Sequence, residues 1–380
     1  MATHTTHPPL PAASPSSHPF VASQRNRANM EILGGILKYS SGTLREVARQ
    51  DFRTSPEGQA LEAEKESAMA GDMLGWVERA KALALSDSVY RLERFYQRYV
   101  AEEIGARGIV ATEDMRPEIL AKKDIPRQGA GGTLELDPEL EMPAYYEGVN
   151  YHIMPEGTEK YDLFGKGAGG FASLNVVYRY GGFAAVPFNT NMHVQRLEAI
   201  AQFPKASYAR IYEIGCGGVR TLLALSERFP DAELVACDLS PASLTSAHDI
   251  AERIGLKVAL KQRDCRHTGE ADESFDGLFS YAVHHEAPVP ENLEMFREMF
   301  RILKPGGDIV LSDPPPFRAV EPFQAAILEW DNDHREEPYF TETCLANWDE
   351  ELKKIGFTNV ESYALGPDAY PWITRATKPA

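Results

Sequence analysis

Glu213-Ile214-Gly215-Cys216-Gly217-Gly218 decides how the rest of the chain is read. Ala209 to Ile214 before it has the character of a buried strand, and Val219 to Phe229 after it has the spacing of an apolar helix. A glycine turn in that position does two things. Glycine at 215 and 217 lets the backbone bend tightly and approach a ligand with no Cβ in the way. The helix N-terminus that follows offers free N–H groups and positive potential.

The same strand–turn–helix pattern repeats downstream. Glu233 to Cys237, Lys257 to Gln262, Phe275 to Ala282 and Asp308 to Ser312 read as further strands. Between them lie a helix over Pro241 to Ile254, with Ser240 as N-cap and Pro241 in its first position, and an amphipathic helix over Glu291 to Leu303. Lys304-Pro305-Gly306-Gly307 ends the latter. Alternating β and α elements imply a mostly parallel sheet covered by helices on both faces, an α/β fold. Leu345 to Ile355 reads as a last helix, and Val360 to Leu365 and Trp372 to Ala376 as a closing hairpin.

Two carboxylates fall where such a sheet presents its ligand site. Asp238 ends the second strand, about 20 residues past the glycines, where a carboxylate can accept both hydroxyls of a ribose. The competing role, capping the next helix, is already filled by Ser240. Asp264 follows the third strand in Arg263-Asp264-Cys265 and can accept a hydrogen bond from an adenine amino group, or serve only as a turn residue.

Together these residues resemble the class I S-adenosylmethionine (SAM) dependent methyltransferase superfamily, over about residues 190 to 380. Its marks are an acidic residue two before a Gly-x-Gly loop, acidic ends to the second and third strands, and a Pro-Gly-Gly turn before the fifth. Here they stand as Glu213-Ile214-Gly215-Cys216-Gly217, Asp238, Asp264 and Lys304-Pro305-Gly306-Gly307. The resemblance implies a Rossmann-like sheet with an antiparallel last strand. It implies a cofactor site built from Glu213, Gly215, Cys216, Gly217, Asp238, Leu239, Asp264, Cys265 and Tyr281. Gly215 and Gly217 would border the methionine part of SAM, Asp238 would hold the ribose, and Asp264 with Cys265 would meet the adenine. A nicotinamide-binding protein is the rival, but its third glycine would fall at 220, which is Arg220.

Tyr281-Ala282-Val283-His284-His285-Glu286 ends the fourth strand and should face the methyl donor. His285 or His284 is a candidate general base, with Glu286 to orient it. Chelation by this run is disfavoured, because neighbours on a strand point to opposite faces, and no metal is expected. Asp313-Pro314-Pro315-Pro316-Phe317 resembles the Asp-Pro-Pro-Tyr type motif of amino-group methyltransferases, but it follows the fifth strand rather than the fourth. It reads as the start of an excursion over 317 to 343 that covers the acceptor and carries Trp330 and His334 as candidate acceptor contacts, with His334 a second candidate base. The Asp331-Asn332-Asp333-His334 run is otherwise a solvated face.

The amino-terminal half carries less chemistry. Residues 1–26 are rich in Pro, Ser, Thr, Ala and His and read as a disordered tail. Residues 27–110 read as a helical domain, a cap or a dimerisation unit. Ser55-Pro56 starts one helix, and Met69, Met73, Trp76, Ala80 and Leu83, then Val89, Leu92, Tyr96 and Tyr99, recur at helical spacing as core stripes. Residues 111–190 read as a linker and an aromatic and glycine-rich region on the substrate side, with Tyr151, His152 and Tyr178 as candidate acceptor contacts. Residues 191–380 form the SAM-binding domain.

The bulk numbers narrow the partners. A net charge of −17 over 380 residues repels phosphate backbones, so neither nucleic acid nor an anionic membrane surface is expected. Four cysteines without CxxC spacing fit a reducing, cytoplasmic setting. The expectation is methyl transfer to a small molecule, by O- or C-methylation with a histidine base. The alternatives are S- or N-transfer, other SAM chemistry on the same fold, and a non-catalytic SAM-binding module. A homodimer through the N-terminal helices is a further expectation.

Overall fold

A computed structural model describes residues 22–117, 129–149, 151–153 and 192–380. Tyr178, the side chain of His152 and most of the expected tail lie outside the described residues.

Five helices open the chain: α1 (Gln24–Tyr39), α2 (Arg45–Thr54), α3 (Pro56–Ala70), α4 (Met73–Ser86) and α5 (Ser88–Asp114). A π-helical turn over Ser40–Leu44 joins the first two. Helix α1 begins inside the expected tail because Ser23 caps it, its hydroxyl accepting from Asn26 N. Ser55, Asp72 and Asp87 cap α3, α4 and α5 in the same way, through Gly58 N, Gly75 N and Tyr90 N.

The two sequence stripes fare differently. Trp76 and Ala80 are buried and Met73 and Leu83 pack beside them, but Met69 is exposed. On α5 half of the expected stripe faces outward: Leu92 and Tyr99 are exposed, Val89 packs on the core and Tyr96 is half-buried, and the buried face carries Tyr90, Glu93, Arg94, Gln97 and Val100. Glu93, fully buried, takes hydrogen bonds from Arg45 Nε at 3.0 Å and Arg94 Nη2 at 2.7 Å. A hydrophobic period cannot register a face closed by an ion network, which is why this helix is rotated from its expected orientation.

The carboxyl half is a sheet of eight strands in the order β1-β4-β3-β2-β5-β6-β8-β7. They are β1 (Thr133–Glu135), β2 (Arg210–Ile214), β3 (Glu233–Asp238), β4 (Ala259–Gln262), β5 (Phe275–Tyr281), β6 (Leu303–Asp313), β7 (Thr358–Ala364) and β8 (Trp372–Thr377). All neighbours are parallel except β8, which runs antiparallel to both β6 and β7. The expected closing hairpin is therefore present, and a short parallel strand, β1, extends the sheet beyond β4.

Side chains alternate across the sheet as the pleat requires. Ile211, Leu234, Ala236 and Phe279 pack with α6 (Met192–Ile200), α7 (Arg220–Arg228) and α8 (Pro241–Ile254). Tyr212, Ile214, Val235 and Leu278 pack on the other face with α9 (Val289–Ile302) and, beyond the short α11 (Phe340–Leu345), with α12 (Trp348–Ile355). The single helix expected over Leu345 to Ile355 is broken at Ala346–Asn347.

The excursion after β6 is not a separate flap. Its helix α10 (Pro322–His334) shares one core with α2, α3, α4 and α5, where Phe323 meets Phe52 at 5.6 Å and Tyr90 at 5.4 Å between ring centres. Aromatic pairs at these edge-on angles add to plain area burial. The N-terminal helices are thus fastened to the carboxyl ends of the sheet strands. No helix among the described residues is long and apolar enough to cross a membrane.

Candidate functional site

Register brings the strand ends together. Ile214 pairs with Cys237 on one side and Ser280 on the other, and Tyr281 pairs with Ser312. Gly215, Asp238, the turn after Tyr281 and Asp313 therefore meet at one edge, the carboxyl edge where open parallel sheets bind ligands.

The glycine turn is shaped by its surroundings. Gly215 has φ of +61°, and a Cβ added there would stand 2.8 Å from a Val283 methyl. Gly217 has φ of +55° with nothing within 4 Å of the same position. One glycine is demanded by packing and the other leaves an open cradle. Gly217 N and Ser240 N donate to the two oxygens of Asp238, at 2.7 and 2.9 Å. The carboxylate is thereby fixed at the rim of the cradle, while Ser240 Oγ caps α8 through Ser243 N at 3.0 Å. Gly215→Ala is expected to cost about 1–3 kcal/mol from the left-handed backbone alone. Thermal unfolding checks this, and an unchanged midpoint would refute it.

Behind the turn, Glu213 is buried, and burial pushes its carboxyl well above the ordinary carboxylate value, with Thr221 and Arg196 pulling the other way. Arg196 Nε donates to Thr221 Oγ1 at 3.0 Å and its guanidinium lies 4.4 Å from the Tyr281 ring centre. Tyr281 in turn donates to Gln195 Oε1 at 3.1 Å. Asp264 accepts from Arg266 N at 2.9 Å and from its guanidinium at 2.6 Å. Leu239 and Cys216 are buried, and the thiols of Cys237 and Cys265 lie 3.7 Å apart.

Residues His284–Glu286 form a 3₁₀ turn rather than a strand end. The opposite-face objection to their cooperation therefore falls away. His284 is sealed in: its ring nitrogens meet Asn292 Oδ1 at 2.7 Å and Ser280 Oγ at 3.0 Å, and burial holds its pKa below the ordinary value. His285 is placed differently. Its Nδ1 lies 2.5 Å from Asp313 Oδ1 and its Nε2 lies 3.5 Å from Glu286 Oε1. Burial opposes its charged form, but the Asp313 carboxylate outweighs it and the pKa stands well above the ordinary value. Tyr151 donates to the Glu286 carbonyl at 3.0 Å, and Tyr339 reaches the Tyr145 carbonyl at 2.9 Å.

Trp330 and His334 belong to the helical layer. Their rings stack at 4.3 Å, and Arg94 lies 4.7 Å from the Trp330 ring centre. Two residues of the strand-end constellation are absent from the candidates that the sequence offers for the acceptor site. Asp313, first residue of the Asp-Pro-Pro-Pro stretch, is the partner of His285. Glu337, between α10 and α11, has its carboxylate beside His285 and Glu286. Only the end-of-strand position of Asp313 could have signalled it, and nothing local signals Glu337.

The chain is similar to known methyltransferases over part of its length. Residues 211–307 match a family described as a methyltransferase domain. The chain is 32% identical over 144 residues to a demethylmenaquinone methyltransferase of Thermus thermophilus, covering 34% of this chain and 62% of that protein. It is 27% identical over 184 residues to methyltransferase phqN of Penicillium fellutanum, covering 45% of this chain and 53% of that one. The chain therefore spans between half and two thirds of these relatives. Phosphoethanolamine N-methyltransferase 2 of Haemonchus contortus, solved with S-adenosyl-L-methionine, is 19% identical with a TM-score of 0.39, covering 49% of this chain and 53% of that chain.

Proposed function

Since its C-terminal half is a class I SAM-dependent methyltransferase domain, we propose that the protein transfers a methyl group to a small-molecule acceptor, at an oxygen or an acidic carbon. The observation that carries this reading is the corner formed by Gly215, Gly217 and Asp238, an open cradle rimmed by a fixed carboxylate. The donors present fit SAM. Gly215, Cys216 and Gly217 would lie along its methionine part, with Glu213 behind them. Asp238 and Leu239 would take the ribose, and Asp264 and Cys265 the adenine, with Tyr281 closing the floor. When bound, SAM supplies a methyl group activated on a sulfonium, which the acceptor takes to leave S-adenosylhomocysteine.

The protein's own work is to align the acceptor and exclude water. It must also deal with the acceptor's proton, and His285 would do that. Asp313 fixes its ring and leaves Nε2 facing the Glu286 carboxylate at 3.5 Å, whereas both His284 nitrogens are occupied. The helices of the N-terminal half and α10 supply the wall above the strand ends.

Two measurements test the reading. Trideuteromethyl-SAM with a bacterial metabolite extract is expected to yield a labelled product and S-adenosylhomocysteine by mass spectrometry. Absence of both, with no measurable SAM binding, overturns it. Asp238→Ala is expected to weaken SAM binding about ten- to a hundredfold, the ~1.5–3 kcal/mol of a charged hydrogen bond. Calorimetry on the variant checks this, and wild-type affinity would remove Asp238 from the ribose site.

A further inference from the structure

The side chains of His285, Glu286 and Glu337 converge. One donor atom from each lies within 4.8 Å of the others. His285 and Glu337 are buried and Glu286 is half-buried. Nitrogen and oxygen donors sit about 2.0–2.3 Å from a divalent ion, so two on opposite sides of one ion stand roughly 4–4.6 Å apart. The cluster needs little movement to close on a single ion.

Three structural facts make it more than a group of acids. First, the third donor is an imidazole whose other nitrogen is held by a carboxylate, with Asp313 Oδ1 at 2.5 Å from Nδ1. Histidine ligands of metals are oriented in this way, and the arrangement raises the basicity of the ligating nitrogen. Second, the 3₁₀ turn over His284–Glu286 brings the donors of the neighbouring 285 and 286 side chains together, which an extended strand would prevent. The Tyr151 hydroxyl steadies that turn at the Glu286 carbonyl. Third, Glu337 arrives from a separate segment, after α10, so the set is assembled by the tertiary fold rather than by local sequence.

We propose that His285, Glu286 and Glu337 form a divalent-cation site, with Asp313 orienting the histidine. One imidazole and two carboxylates suit Mn²⁺ or Zn²⁺ better than Mg²⁺, which prefers oxygen donors throughout. Three protein donors leave coordination positions for water or an acceptor. The role assigned to the ion rests on the proposed methyl transfer. A cation at this edge would draw in an acceptor oxygen and raise its acidity, so that the proton leaves to water and His285 acts there as a ligand in place of a base.

The full chain, stripped with a chelator and titrated with Mn²⁺, tests the site through the electron paramagnetic resonance signal of free Mn²⁺. Wild type is expected to remove one Mn²⁺ per chain. Glu337→Gln, which loses a donor, is expected to bind at least tenfold more weakly, and Asp313→Asn, which keeps all three donors, about 10–100-fold more weakly. No saturable binding by wild type overturns the site without recourse to any variant, and wild-type affinity in Glu337→Gln overturns its composition. The labelled-methyl assay on stripped and Mn²⁺-loaded protein separates the two readings. Equal turnover in both overturns the ion's role at the acceptor while the methyl transfer stands. Mn²⁺ binding with no labelled product, no S-adenosylhomocysteine and no measurable SAM binding upholds the site and sinks the transfer.

Discussion

His285→Gln is expected to lower kcat about 10²–10⁴-fold with the fold intact, the range spanned by a group that manages a proton in the transition state. His284→Gln is expected to do the opposite: to lose stability while the folded fraction turns over. The difference lies in what each ring touches. His284 is 1% exposed and bridges Ser280 and Asn292, so its removal strands two buried polar groups at about 1–3 kcal/mol each. His285 spends one nitrogen on Asp313 and turns the other toward Glu286. Paired measurements of S-adenosylhomocysteine formation and thermal unfolding decide the matter. Full turnover in His285→Gln would remove it from the acceptor site. Lost turnover in His284→Gln at an unchanged midpoint would exchange the two assignments.

Glu93→Gln is expected to destabilise the protein by about 3–5 kcal/mol, although Glu93 lies far along the chain from the cofactor corner. The side chain is fully buried between Arg45, whose Nη2 is 2.9 Å away, and Arg94. Removing its charge leaves two guanidinium groups buried without their counter-ion. Burial alone would raise the Glu93 pKa, but Arg94 and Arg45 outweigh it and hold the carboxyl below the ordinary value. A folded pKa below the unfolded one contributes stability that is complete above the unfolded value, about 4.3, and is lost as pH falls through the folded value. Wild type should therefore carry an acid-side loss that Glu93→Gln lacks. Urea unfolding at neutral and acid pH checks both statements. A neutral-pH cost below about 1 kcal/mol would mean that the two arginines are satisfied by other groups.

The helical half shows why such a residue escapes a reading by pattern. Leu92 and Tyr99 repeat at the right interval and are exposed, while Glu93, Arg94 and Gln97 are inside. Hydrophobic periodicity assumes that burial follows apolarity, and a satisfied ion network reverses that rule. Likewise α10, part of the excursion expected to cover the acceptor, is a core helix of the N-terminal layer, because Phe323 finds Phe52 and Tyr90, residues more than 200 positions earlier.

By itself the sequence determined the alternation of strand and helix, the glycine turn after β2, the acidic residues Asp238 and Asp264 and the closing antiparallel hairpin. Each is set within a few residues, by side-chain period, by a backbone angle only glycine takes readily, or by a cap. Tertiary structure alone decided which histidine is held between Ser280 and Asn292 and which lies between carboxylates. It turned Asp313 from a proline-flanked turn residue into the partner of His285, and it carried Glu337 to Glu286. Those pairings join residues up to 51 positions apart across strand ends and loops, where no local preference acts and only the packing of the sheet edge against α10 and α11 sets the distance.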